Sequence, residues 1–196
     1  PIHVGFSNET FYAGTHICLV YWDEAQRQSI VRRFVATGIL DGEQVSYFAD
    51  TATPSDVLAW LADLDIDLSP YLNDGAFSVN EALGTYCPDG TFDPRRMIGT
   101  LRRAYDASRQ SEYTNCRVTG EMTWSLRGMP GSDRLIEYES RINTLVKTHP
   151  VTAMCQYDAN AFGGALIFQV LQVHPFMVAD GQLVKNPYYM SVEWND

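Results

Sequence analysis

The sequence contains no apolar run approaching the roughly 20 residues that a membrane helix needs. Its first residues also lack the basic, apolar and small-residue succession of a secretory signal. Together these absences predict a cytoplasmic location. No basic amphipathic stretch is present to hold the chain on an anionic surface, so no membrane contact is expected. Basic residues are scarce, 14 against 24 acidic ones, for a formal charge of −10. Phosphate backbones select for clustered lysine and arginine, so direct nucleic-acid binding is not expected. The four cysteines, Cys18, Cys87, Cys116 and Cys155, are widely scattered and form no CxxC pair. They read as reduced thiols rather than as a disulfide framework. Catalytic signatures are missing too: there is no GxSxG elbow, no HExxH and no GxGxxG.

What is present is a regular alternation of short apolar runs with amphipathic stretches. Residues 16–22 (HICLVYW) form an apolar, β-branched and aromatic run that predicts a buried strand. Ile30, Val31, Phe34, Val35 and Ile39 then recur at helical spacing, with Gly38 or Asp41-Gly42 as the expected stop. Further strands are expected at 44–49, 76–82, 116–122 and 151–157. Thr53-Pro54-Ser55-Asp56 predicts a capping box with proline in the first helical turn. Asp93-Pro94, Ser132 and Asp158 are the expected starts of three more helices, and Asp180-Gly181 the turn of a terminal hairpin. Strands joined by helices need crossover connections, hence a mainly parallel sheet with helices on both faces. No linker or repeat divides the chain, so residues 1–196 are expected to form one domain.

In open parallel sheets ligands bind at the carboxyl ends of the strands. That rule selects Tyr21 and Trp22 after the first strand, Glu81 after the third, Glu121 and Trp124 after the fourth, and Tyr157 and Asp158 after the fifth. Mixed aromatics and carboxylates suit a small, partly apolar molecule. The first strand-to-helix turn, Trp22-Asp23-Glu24-Ala25-Gln26, has no glycine, no lysine and two acids. A phosphate loop needs glycines to turn backbone N–H groups inward and a lysine for charge, so a nucleotide is not expected there.

Several segments together resemble the MEDS sensory-domain family. They are HICLVY at 16–21, GEQVSYFAD at 42–50, GTFDPRRM at 90–97, RVTGEMTWSLRG at 117–128, RLIEYESRIN at 134–143, CQYDANAF at 155–162, HP at 174–175 and NPYY at 186–189. The resemblance implies a RecA/KaiC-like core without a P-loop and a sensor of small hydrocarbon derivatives in prokaryotic signalling. It also implies the partners: a small organic effector, and a regulatory protein or a fused histidine-kinase or DNA-binding domain. Self-association as a homodimer stays open, and no cofactor is expected. The family's characteristic His and Cys fall on His16 and Cys18.

His16 and Cys18 lie two apart in a strand, so both side chains point to one face. They are either a redox or metal pair, with Cys155 the candidate third member, or a strand cap and a small core residue. Glu121 either orients a ligand or accepts backbone bonds from the next loop. Trp124 and Asp158 read more readily as packing and as a helix cap. Glu137 and Glu139 read as one solvated helix face beside a buried Tyr138. The expected function is a non-catalytic effector sensor. Against it stand a ligand-free protein–protein interaction module with a vestigial nucleotide fold, and an enzyme using Glu81 and Glu121.

Overall fold

A computed structural model describes residues 1–192. Two short strands, β1 (Ile2–His3) and β2 (Thr10–Phe11), pair antiparallel at the N-terminus. Then follow β3 (His16–Tyr21), α1 (Glu24–Leu40), β4 (Gln44–Ala49), α2 (Pro54–Ala62), α3 (Ser69–Asn73), β5 (Phe77–Glu81), α4 (Ala82–Tyr86) and α5 (Pro94–Gln110). The chain continues through β6 (Cys116–Glu121), two 3-10 turns at Thr123–Arg127 and Ser132–Arg134, and α6 (Leu135–Leu145). It closes with β7 (Thr152–Asp158), α7 (Gly164–Val173), β8 (Phe176–Ala179) and β9 (Gln182–Lys185). The main sheet runs β5-β4-β6-β7-β3-β8-β9. Every neighbouring pair in it is parallel except the β8–β9 hairpin. No helix among the described residues is long and apolar enough to cross a membrane.

Strand alternation divides the interior into two layers. Ile17, Leu19, Val45, Tyr47 and Met154 face α1 and α2. Cys18, Phe48, Val118, Cys155 and Tyr157 face α4, α5, α6 and α7. With both faces covered, the central strands are buried along their length, all six residues of β6 included, and the polar side chains among them, such as Arg117 and Glu121, are buried with the rest. Capping follows the sequence at α2, where Thr53 and Asp56 complete the reciprocal box, and at α5, where Asp93 accepts from the Arg96 N–H.

Three local expectations need correction. Ser132 opens a 3-10 turn, and the α-helix begins only at Leu135. Asp158 does not cap α7: it ends β7 and accepts from the Asn160 N–H at 2.8 Å, closing a local turn, while Gly163 is the helix N-cap. Glu139 is not solvated but fully buried on α6, whereas Glu137 pairs with Arg134 and Arg141 nearer the surface.

Gly38 does not stop its helix, which runs to Leu40 before Gly42 turns at φ +74°. It is there because Arg117 crosses the helix at that point. A Cβ on residue 38 would sit 2.8 Å from Arg117 Cδ and Nε and 2.9 Å from Val45 Cγ2. Arg117 cannot retreat, since its guanidinium is buried and donates to Glu43, to the Phe34 carbonyl and to the His3 carbonyl. Gly38→Ala gains about 1 kcal/mol of helix propensity but overpacks a fixed neighbour at about 1–3 kcal/mol. A net destabilisation is expected, read as a lower urea midpoint at unchanged slope. An equal or higher midpoint would show that Arg117 moves freely.

Candidate functional site

The carboxyl end of β3 leads into α1 through a turn closed by its own acids. Asp23 is the N-cap of α1 and accepts the Gln26 N–H at 2.7 Å. Glu24 is drawn sideways onto Arg27, at 2.5 and 2.9 Å. One backbone donor that could bind a phosphate, the Gln26 N–H, is therefore already met by a protein carboxylate, and Glu24 adds a second negative charge at the positive end of the helix dipole.

Arg27 is the hub of this end of the sheet. Its buried guanidinium lies between the Tyr21 and Trp60 rings, 5.1 and 5.0 Å from their centroids. It donates to Gln156 at 3.1 Å and stands 3.2 Å from Glu121. Glu121 accepts Tyr47 Oη at 2.9 Å, the Thr51 N–H and hydroxyl at 2.6 and 2.7 Å, and the N–H groups of Asp50 and Ala52 at 3.1 and 3.2 Å. Burial alone would raise the Glu121 carboxyl, but Arg27 beside it and the Thr51 and Tyr47 donors bring it below its usual value. Its oxygens thus organise the loop after β4.

The other expected site residues are dispersed. Tyr21 and Asp158 border a shallow, open depression with Trp60 and Thr51. Glu81 is exposed on the edge strand β5 beside Pro54 and Arg127, with β4 between it and Glu121. Trp124 is fully buried, stacked on Tyr86 at 4.7 Å and tilted against Phe92. Tyr157 points away from the strand ends, into the helical layer, where its hydroxyl donates to Glu139. Trp22 alone of the set borders an apolar cleft of about 370 Å³. That cleft also takes Cys18, Val20, Ile30, Ile167 and Leu171, with the β8–β9 turn at its rim. Among the described residues β8 pairs with β3 at Ile17 and Cys18 alone, which leaves the upper half of β3 open on that side and makes room for the cleft.

Below this cleft lies a polar cluster inside an apolar layer. His16 of β3, Cys155 of β7, Glu139 of α6 and His174 at the end of α7 are all buried, with one donor atom from each within 4.8 Å of the others. Glu139 Oε2 is 3.2 Å from His16 Nε2, 3.4 Å from His174 Nε2 and 3.3 Å from Cys155 Sγ. Cys155 Sγ lies 3.7 Å from His16 Nε2, and the two imidazole centroids are 4.1 Å apart. Burial and the neighbouring His174 lower the His16 imidazole below its usual range. Burial and the Glu139 charge push the Cys18 and Cys155 thiols well up. The sequence brought His16 and Cys155 forward but passed over Glu139 and His174. Cys18 is the neighbour of this cluster rather than one of its four members.

The architecture is that of KaiC-like α/β proteins. The KaiC-like protein PH0186 of Pyrococcus horikoshii superposes with a TM-score of 0.63 at 15% identity, over 90% of this chain and 80% of that one. The flagellar accessory protein FlaH of Methanocaldococcus jannaschii gives 0.59 at 12% identity, over 86% and 74%. The RecA/KaiC-like core implied by the resemblance is therefore the fold of this chain. Residues 15–175 match the family model described as the methanogen/methylotroph, DcmR sensory domain, and the chain belongs to this MEDS family. The transcriptional repressor DcmR of Methylorubrum extorquens is 24% identical over 160 residues, 81% of this chain. The matched part is 57% of that repressor's length.

Proposed function

We propose that the chain is the non-catalytic sensory unit of a prokaryotic regulator and reads a small, weakly polar organic molecule in the cleft beside β3. The cleft itself carries this reading. A space of about 370 Å³ walled by Val20, Trp22, Ile30, Ile167 and Leu171 suits a molecule of few heavy atoms held mainly by apolar contact. Hydrocarbon derivatives, the effector class that the family resemblance implies, have that character. Occupancy would favour the arrangement of β8, β9 and α7 that closes on the ligand, and so bias a regulatory partner or fused output domain by differential affinity.

A thermal-unfolding screen of short-chain haloalkanes, alcohols and diols, with ATP as comparison, tests this. An effector at 100 times its Kd should add about 2.7 kcal/mol of stability. Trp22→Ala and Ile167→Arg should erase that gain while ATP has no effect. If no organic compound stabilises the chain, or if both variants respond like the parent, the cleft is not the sensor. Such a failure would favour the second reading, a ligand-free interaction module. An exposed apolar patch supports it, where Phe168 and Tyr188 make a ring contact at 6.2 Å beside exposed Met190.

A further inference from the structure

We infer that His16, Glu139, Cys155 and His174 form a binding site for one divalent cation of the zinc class. The spacing is the first reason. Four donors placed tetrahedrally at zinc bond lengths stand roughly 3.3–3.8 Å from one another. The separations found here are 3.2, 3.3, 3.4 and 3.7 Å, and the remaining pairs lie within 4.8 Å.

Ring orientation is the second. His174 Nδ1 is 2.7 Å from the Val170 carbonyl, which can only accept, so Nδ1 carries the proton. The Asn143 amide donates to the Val173 carbonyl at 2.7 Å, which turns its oxygen toward His16 Nδ1 at 3.0 Å. Both rings therefore have their Nδ1–H engaged by an acceptor and present Nε2 to one point. This is the outer support that metal-bound histidines have.

The third reason is an unmet need. His174 Nε2 is fully buried and has no hydrogen-bond partner among the described residues, although it faces the Glu139 carboxylate. With both rings neutral, two lone pairs and a carboxylate would confront each other in an apolar layer, which is costly. A divalent cation resolves this. Cys155 releases its thiol proton to solvent on binding, and the thiolate and the Glu139 carboxylate balance the two positive charges. Two nitrogens, one sulfur and one oxygen favour a borderline cation over magnesium or calcium. Four protein ligands make a closed site, one that ties β3, β7, α6 and the α7–β8 corner together rather than activating water.

The donors are buried, so the metal should be offered during refolding. The complete chain is unfolded in denaturant with chelator and refolded with Zn²⁺, Co²⁺ or Mg²⁺. One equivalent of Zn²⁺ or Co²⁺ per chain is expected after desalting, with a raised unfolding temperature and no retention of Mg²⁺. The Co²⁺ form should show tetrahedral ligand-field bands and a sulfur-to-cobalt charge-transfer band. Cys155→Ser, which preserves shape, should keep bound Co²⁺ but lose the charge-transfer band. Asn143→Ala should weaken Zn²⁺ by about 10–100-fold through loss of ring support. His174→Gln should lose stoichiometric uptake, with circular dichroism confirming the fold. No uptake in the refolded parent chain, or a charge-transfer band that survives Cys155→Ser, would overturn the assignment. The four groups would then be a proton-sharing cluster.

Discussion

Replacing Arg117 with methionine is expected to destabilise the chain by about 3–5 kcal/mol, the usual consequence of leaving one half of a buried ion pair alone. Both side chains are almost wholly inaccessible, at 0% and 2% exposure. Arg117 Nε and Nη2 donate to the two Glu43 oxygens at 2.6 and 2.8 Å, a bidentate fork that a lysine could not reproduce. The same guanidinium holds the Phe34 carbonyl of α1 at 2.7 Å and the His3 carbonyl of β1 at 2.8 Å. Arg117→Met thus strands a carboxylate and at the same time removes the donor that two backbone carbonyls share. Urea unfolding should show the loss as a lower midpoint. The companion Arg117→Met with Glu43→Leu should recover much of it, because the stranded charge is gone. A single variant within about 1 kcal/mol of the parent would mean that water reaches Glu43.

Glu121→Ala should be of similar size, about 3–5 kcal/mol, since it leaves Arg27 buried without its partner and three loop N–H groups without their acceptor. Its acid dependence gives a second readout. The folded Glu121 carboxyl lies below its ordinary value of 4.5, so the stability it contributes is complete above that pH. That contribution disappears as the pH falls through the folded value, because the unfolded chain takes up the proton first. Below pH 4.5 the parent should therefore lose stability more steeply than Glu121→Gln, by up to about 1.4 kcal/mol per pH unit. Parallel curves for parent and Glu121→Gln would refute the assignment of Glu121 as an ionised acceptor.

Much of the fold was legible because the determinants are local. The run at 16–22 is short, apolar and β-branched, and the Thr53-Asp56 box is a four-residue signal. The two-residue strands β1 and β2 and the five-residue helices α3 and α4 escape notice because they end before a hydrophobic period can repeat. The strand-end rule led to Trp22 and the cleft beside it, but it also gathered Trp124 and Tyr157, whose side chains turn into the helical layer.

The cluster at residues 16, 139, 155 and 174 has no local spacing to betray it, since four separate elements must dock before its members meet. One signal was nevertheless available. Glu139 lies four residues after Leu135 and three before Ile142, on the same stripe of α6 as those core residues. An acid on an apolar stripe needs a buried partner. Periodicity thus pointed to Glu139, but the charge pattern of Glu137 and Glu139 hid it.

Asp23 has a consequence for what the chain can report. The Gln26 N–H of this opening turn is held by a carboxylate from the chain's own sequence, so a terminal phosphate of ATP would have to displace a negative charge to reach it. Nucleotide phosphates are thus offered a competing carboxylate at this turn instead of a vacant helix end.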